Sequence, residues 1–84
     1  MTRAERITAI LIQHFQPIHL ELRNDSARHA GHSGARAGGE THYTLLISSE
    51  KFIGLSKIQR HQAIYKLLAG EFQTGLHALS IEAL

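Results

Sequence analysis

The stretch Thr41-His42-Tyr43-Thr44-Leu45-Leu46-Ile47-Ser48-Ser49-Glu50-Lys51-Phe52-Ile53-Gly54-Leu55-Ser56-Lys57-Ile58-Gln59 changes its periodicity once, and that change determines the fold class. Thr41 to Ser48 alternates, with Tyr43, Leu45 and Ile47 on one face and His42, Thr44 and Leu46 on the other, as a strand requires. Ser48 to Phe52 spells one short helical turn, stopped by Gly54. Ser56 and Gln59 then form a capping box: the Ser hydroxyl accepts the backbone N–H three residues on, and the Gln side chain reaches back to the cap. A strand, a turn and a helix start therefore follow one another without a linker.

Downstream, the helix begun at Ser56 places Ile58, His61, Ile64, Tyr65, Leu68 and Phe72 along one stripe, with Leu67 at its margin. Gly70 weakens it by about 1 kcal/mol relative to Ala. Thr74-Gly75 breaks it, and Leu76 to Ala83 reads as a last strand with His77, Leu79 and Ile81 on one face. Upstream, Thr2-Arg3-Ala4-Glu5 is another capping box, and Ile7, Ile10, Leu11 and Phe15 recur at helical spacing until Pro17 forbids continuation. This helix should end near His14 or Phe15. Ile18, Leu20 and Leu22 alternate with His19, Glu21 and Arg23 as a first strand. Between Asp25 and Glu40 the chain is rich in Gly, Ala and Ser and predicts a long loop, which carries His29 and His32.

The order α-β-β-α-α-β predicts a single α/β (α+β) domain over residues 1–84, with a three-stranded mixed sheet covered by helices on one face. The first two strands should pair antiparallel, and the last, arriving after a helical crossover, should run parallel to its neighbour.

Composition narrows the chemistry. The chain has 84 residues, 43% of them hydrophobic, seven histidines and no cysteine. A domain this small buries only roughly 60% of its unfolded surface and often needs staples. The missing thiols rule out disulfides, Cys-based zinc sites, thiol catalysis and a self-contained iron–sulfur centre. Charge is close to balanced at +2, less than a committed nucleic-acid binder usually carries. No run approaches the roughly 20 apolar residues of a membrane span, and the opening residues read as a helix start instead of a signal peptide, so a cytoplasmic protein is expected. No H-E-x-x-H, P-loop or nucleophile elbow is present, and Asp25, Ser26 and His29 are neighbours on a loop with no preorganised triad geometry. An enzyme is not expected.

The run Thr41 to Ser56, followed by Gln59-Arg60-His61-Gln62-Ala63-Ile64-Tyr65 and closed by Leu76-His77-Ala78-Leu79-Ser80-Ile81, resembles the BolA family, as does Leu20-Glu21-Leu22-Arg23-Asn24-Asp25-Ser26. The resemblance spans nearly the whole chain. It implies a fold like the type II KH domain, and partnership with a monothiol glutaredoxin (with glutathione), with which such proteins share a [2Fe–2S] cluster. The closing-strand histidine matches His77, and the loop ligand matches His29 best, with His32 as the alternative. The isolated chain is then expected to carry no cofactor and to be a monomer or a weak homodimer. Some bacterial members act as transcriptional regulators.

Imidazoles can replace two thiolates on one iron of a [2Fe–2S] cluster, so a protein without cysteine can contribute only the histidine half. A neutral imidazole must bind, and protonation removes it, which predicts a cluster that loosens as pH falls. The other histidines have plainer readings: His42 as a surface or cross-strand residue, His61 as a packed, hydrogen-bonded helix residue, and His14 and His19 without a role. The alternative function is DNA binding by the long helix through Lys57, Arg60 and Lys66, near Lys51. Against it, KH domains clamp nucleic acid with a G-x-x-G loop, whereas the matching connection is Gly54-Leu55-Ser56-Lys57. The literal match, Gly31-His32-Ser33-Gly34, lies in a different loop.

Overall fold

The computed structural model describes residues 1–25 and 41–84. Helix α1 (Arg3–Phe15) leads into β1 (His19–Asn24), then β2 (His42–Ser48), a 3₁₀ turn (Glu50–Phe52), α2 (Lys57–Leu67), α3 (Ala69–Gln73) and β3 (Ala78–Ala83). Both capping boxes form: Thr2 accepts the Glu5 N–H while Glu5 reaches back, and Ser56 does the same with Gln59. Helix α1 ends on Gln16, which Pro17 keeps out of the right-handed helical region; it adopts φ 41°, ψ 60°, in the left-handed region.

The sheet has the order β1-β2-β3. β1 pairs antiparallel to β2, with Leu20 opposite Ile47 and Leu22 opposite Leu45. β3 pairs parallel to β2, with His42 opposite Ala78 and Tyr43 opposite Leu79. This is the predicted mixed sheet. Its covered face supplies Tyr43, Leu45, Ile47 and Leu79 to a core completed by Ile7, Leu11 and Phe15 of α1, Phe52 of the turn, Ile64 of α2, and Leu68 and Leu76. Fully burying each such side chain stabilises the fold by about 1.5–3 kcal/mol. Ser49 ties two elements together, its hydroxyl donating to the Phe15 carbonyl and accepting from the Lys51 N–H.

Three expectations need correction. The long helix does not run to Phe72; it breaks at Leu68, whose φ −99° and ψ 11° leave helical geometry. The apolar stripe is consequently interrupted: Ile64 and Leu68 are buried, but Ile58 is 70% exposed and Tyr65 is 40% exposed. Tyr65 uses its polar tip instead, donating to the Leu79 carbonyl at 2.7 Å. Finally, β3 begins at Ala78, two residues later than predicted. Leu76 is buried ahead of the strand and His77 is exposed, so His77 does not continue the Leu79 and Ile81 face.

The outer edge of β3 is partly closed by α2. The Ala78 N–H donates to Thr41 and the Leu84 N–H to Ile47, so even-numbered residues bond towards β2 and odd-numbered ones turn outward. Two outward carbonyls have side-chain partners, Leu79 from Tyr65 and Ala83 from Arg60. Such caps blunt an edge that would otherwise invite strand addition.

Candidate functional site

His77 is the sequence-predicted ligand that the described structure places with definite surroundings. Gly75 makes the turn that delivers it: at φ 128° it holds a conformation disfavoured for other residues, and a Cβ there would meet Arg3 Nη2 at 3.0 Å. Leu76 then plunges into the core, leaving His77 on the rim. Its backbone is pinned, because the His77 N–H donates to the Thr41 carbonyl at 2.8 Å. The ring is therefore presented to solvent from a fixed backbone.

The same rim receives both ends of the span between β1 and β2. On the outgoing side, the Asp25 N–H donates to the His42 carbonyl at 2.7 Å, and the Asp25 carboxylate accepts from Arg23 and from the Thr44 hydroxyl. On the returning side, the Thr41 carbonyl accepts from both His77 and Ala78. His29 and His32 lie outside the described residues, but the span that carries them leaves and re-enters the fold beside His77.

His42 is a residue whose sequence reading gave no functional role. The parallel register sets it opposite Ala78, next to His77, and the two imidazoles meet edge to face with centroids 5.8 Å apart and planes at 83°. His42 Nδ1 and the Thr41 hydroxyl are hydrogen-bonded at 2.8 Å. No sequence periodicity could have revealed this pair, since it depends on the register between strands far apart in the chain.

His77 fits the histidine half of a shared cluster: an exposed imidazole on an anchored backbone, in a chain with no thiol. Among the described residues no group of three or more His, Cys, Asp or Glu side chains could hold a metal alone.

The basic residues behave differently from the expected phosphate-contacting face. Arg60 is committed internally: Nε donates to the Leu55 carbonyl, Nη1 donates to the Ala83 carbonyl, and the guanidinium lies 5.9 Å from the Phe52 ring centroid. Lys57 and Arg60 line a cleft of about 590 Å³ with Ser80, Ile81 and Glu82. At 100° per residue Lys66 falls about 180° around α2 from Lys57, so the three do not share a face. His61 is half-buried, and its Nε2 has no hydrogen-bond partner among the described residues, so it packs without the expected bond at that atom.

A polar cluster missed by the sequence reading lies on the helical side. Glu71 is buried and accepts from Arg3 Nη1 at 2.6 Å, from Arg6 Nε at 2.9 Å and from Arg6 Nη2 at 3.0 Å. Arg3 also donates to the carbonyls of Glu71 and Thr74. The Arg6 hydrogen bonds, aided by the charges of both arginines, hold the Glu71 carboxyl below its ordinary value despite burial.

Residues 11–84 match the family model for BolA-like proteins. The chain belongs to the BolA-like family. Its fold agrees with the structure of BolA1 from Arabidopsis thaliana, at a TM-score of 0.89 and 40% identity, covering 99% of this chain and 90% of that one. It is 44% identical to SufE-like protein 1, chloroplastic/mitochondrial, of Arabidopsis thaliana over 98% of this chain and 23% of that protein. It is 39% identical to the DNA-binding transcriptional regulator BolA of Escherichia coli, over 92% of this chain and 70% of that one. The chain also spans only about half the length of plant and mammalian BolA-like relatives that it matches.

Proposed function

We propose that this BolA-like chain is an adaptor in iron–sulfur cluster assembly or trafficking. It binds a monothiol glutaredoxin with glutathione and shares a [2Fe–2S] cluster as cargo, His77 being its anchored ligand. His29 is the loop candidate for a second imidazole, and His32 its alternative. The observation that carries this reading is the convergence at the rim: His77 is held by Thr41, and the two ends of the histidine-bearing span are bonded beside it. A fixed donor at the rim where the histidine-bearing span begins and ends suits a cluster that must be passed on. Sulfur ligands for the other iron come from the partner, and the adaptor performs no catalysis of its own.

The test mixes the chain with cluster-loaded glutaredoxin and follows visible circular dichroism and gel filtration. A changed cluster spectrum and a co-eluting complex are expected, both lost for cluster sharing in His77→Ala. An unchanged spectrum with no complex would overturn the proposal.

DNA binding is the second reading, favoured by the name of the Escherichia coli relative and by the Lys57 cleft. It predicts an affinity that falls steeply with salt. Lys57→Ala should weaken it while leaving cluster sharing intact, and weak binding that ignores ionic strength would argue against it.

A further inference from the structure

We infer that the outer edge of β1 pairs antiparallel with the same edge of a second copy of this chain, about a twofold axis through Leu22. The odd-numbered residues of β1 bond to β2, as the antiparallel register and the bond from the Asp25 N–H to the His42 carbonyl require. Leu20 and Leu22 therefore turn their backbone N–H and C=O groups outward. At the other edge of the sheet, Tyr65 and Arg60 cap the outward carbonyls of β3. Among the described residues no side chain caps Leu20 or Leu22, which leaves β1 as a template for strand addition.

Charge selects a second copy as the occupant and sets its register. Glu21 and Arg23 lie on the face of β1 away from the core, their side chains 65% and 62% exposed. With Leu22 opposite the partner's Leu22, Glu21 stands opposite the partner's Arg23, and Arg23 opposite the partner's Glu21. One axis thus creates two ion pairs. Setting Leu22 opposite the partner's Leu20 or the partner's Asn24 instead would bring Glu21 against the partner's Glu21 or Arg23 against the partner's Arg23, and like charges directly opposite oppose pairing. Within the chain, His19 Nε2 lies 3.3 Å from Glu21 Oε1 and Arg23 Nε lies 2.8 Å from Asp25 Oδ1. Glu21 Oε2 and the Arg23 Nη groups have no partner among the described residues, so they can reach across the axis.

The other face of the strand continues the match. Leu22 lines a hollow of about 430 Å³ with Met1, Ala4 and Ile12, and Leu20 lines a neighbouring one of about 540 Å³ with Ile12 and Pro17. Ile12 is 51% exposed and Met1 81%. The twofold axis sets this apolar groove beside its own copy, so the side chains that α1 and β1 leave in water cover one another. One strand pair and one groove make a small interface, of the kind that transient complexes use, so association is weak and depends on concentration. His77 precedes β3, at the other side of the sheet, and the pairing draws nothing from the cluster-sharing reading.

The test is sedimentation velocity of the full chain from micromolar to millimolar concentration, with backbone amide exchange read by NMR across the same range. A monomer in equilibrium with a dimer is expected. The Leu22 amide should exchange more slowly as the dimer forms, while that of Ile81, on the outer edge of β3, should not change. Glu21→Arg or Arg23→Glu alone should weaken dimerisation at least tenfold, because each sets like charges opposite one another. An equimolar mixture of the two variants should recover it, since every cross-strand pair in the mixed dimer is again Glu against Arg. Amide spectra check that both variants fold; if one does not, the wild-type Leu22 amide still decides. A chain that stays monomeric at millimolar concentration, a Leu22 amide that does not respond to dimer formation, or a mixture no better than either variant alone would overturn the proposal. In a monomeric chain, slowing of the Leu22 amide by an excess of an alternating Thr-Val peptide would assign the edge to a foreign strand instead.

Discussion

Two polar constellations of the fold are built in opposite ways: the Arg3–Glu71–Arg6 cluster and the His42–His77 rim. In the first, carboxylate oxygens are matched by guanidinium donors and the arginine is further bonded to backbone carbonyls. Little donor capacity is left for a ligand. In the second, the backbone is secured while the His77 ring remains exposed. Saturated polar groups report a role in holding the fold, and an anchored backbone with an open donor reports a role in binding something else.

The most damaging change should be Glu71→Ala, which takes the Glu71 carboxylate from Arg3, whose side chain is only 10% exposed. A loss of about 3 kcal/mol is expected from urea denaturation, as for breaking a largely buried pair by removing one partner. Gly75→Ala should cost about 1–2 kcal/mol, from the left-handed backbone and the clash with Arg3, and should lower the thermal midpoint. His77→Ala should change stability by no more than about 0.5 kcal/mol, as for an exposed site, yet abolish cluster sharing. A large loss of stability in that variant would erase the contrast between the two regions.

Acid sharpens the same contrast. The folded Glu71 carboxyl titrates below its ordinary value of 4.5, so its contribution is fully present above that pH and is lost as pH falls through the lower, folded value. Glu71→Gln should flatten the stability profile below about pH 4.5. Cluster retention, by contrast, should fall between pH 8 and pH 6 as protons compete for imidazole nitrogen. Retention unchanged across that interval would argue against histidine ligation. The smallest effect is expected for Lys57→Ala, within about 0.5 kcal/mol in stability, because Lys57 is exposed and its side chain makes no hydrogen bond or ion pair among the described residues.

Much of this organisation was legible from local pattern. Thr2 with Glu5 and Ser56 with Gln59 announce their helices because a capping box is completed within four residues. Tyr43, Leu45 and Ile47 announce a strand face because side chains alternate along extended backbone. The two-residue error at β3 has an equally physical origin. Leu76 is apolar and buried, as a strand residue would be, but it is buried by the turn at Gly75 and not by the ladder. Ile58 misled in the opposite direction: helical spacing places it on the stripe, yet it is 70% exposed.

His77 was identifiable because it stands in a motif contiguous along the chain. His42 and Glu71 were not, and for a common reason: each acquires its meaning from a residue remote in sequence, His42 from the β2–β3 register and Glu71 from α1 packing across α3. Capping, alternation and glycine breaks are short-range effects that residues a few positions apart settle among themselves. Which imidazoles become neighbours, and whether a carboxylate is buried between two arginines, depends on how completed elements are packed, and only the folded chain brings those groups within reach.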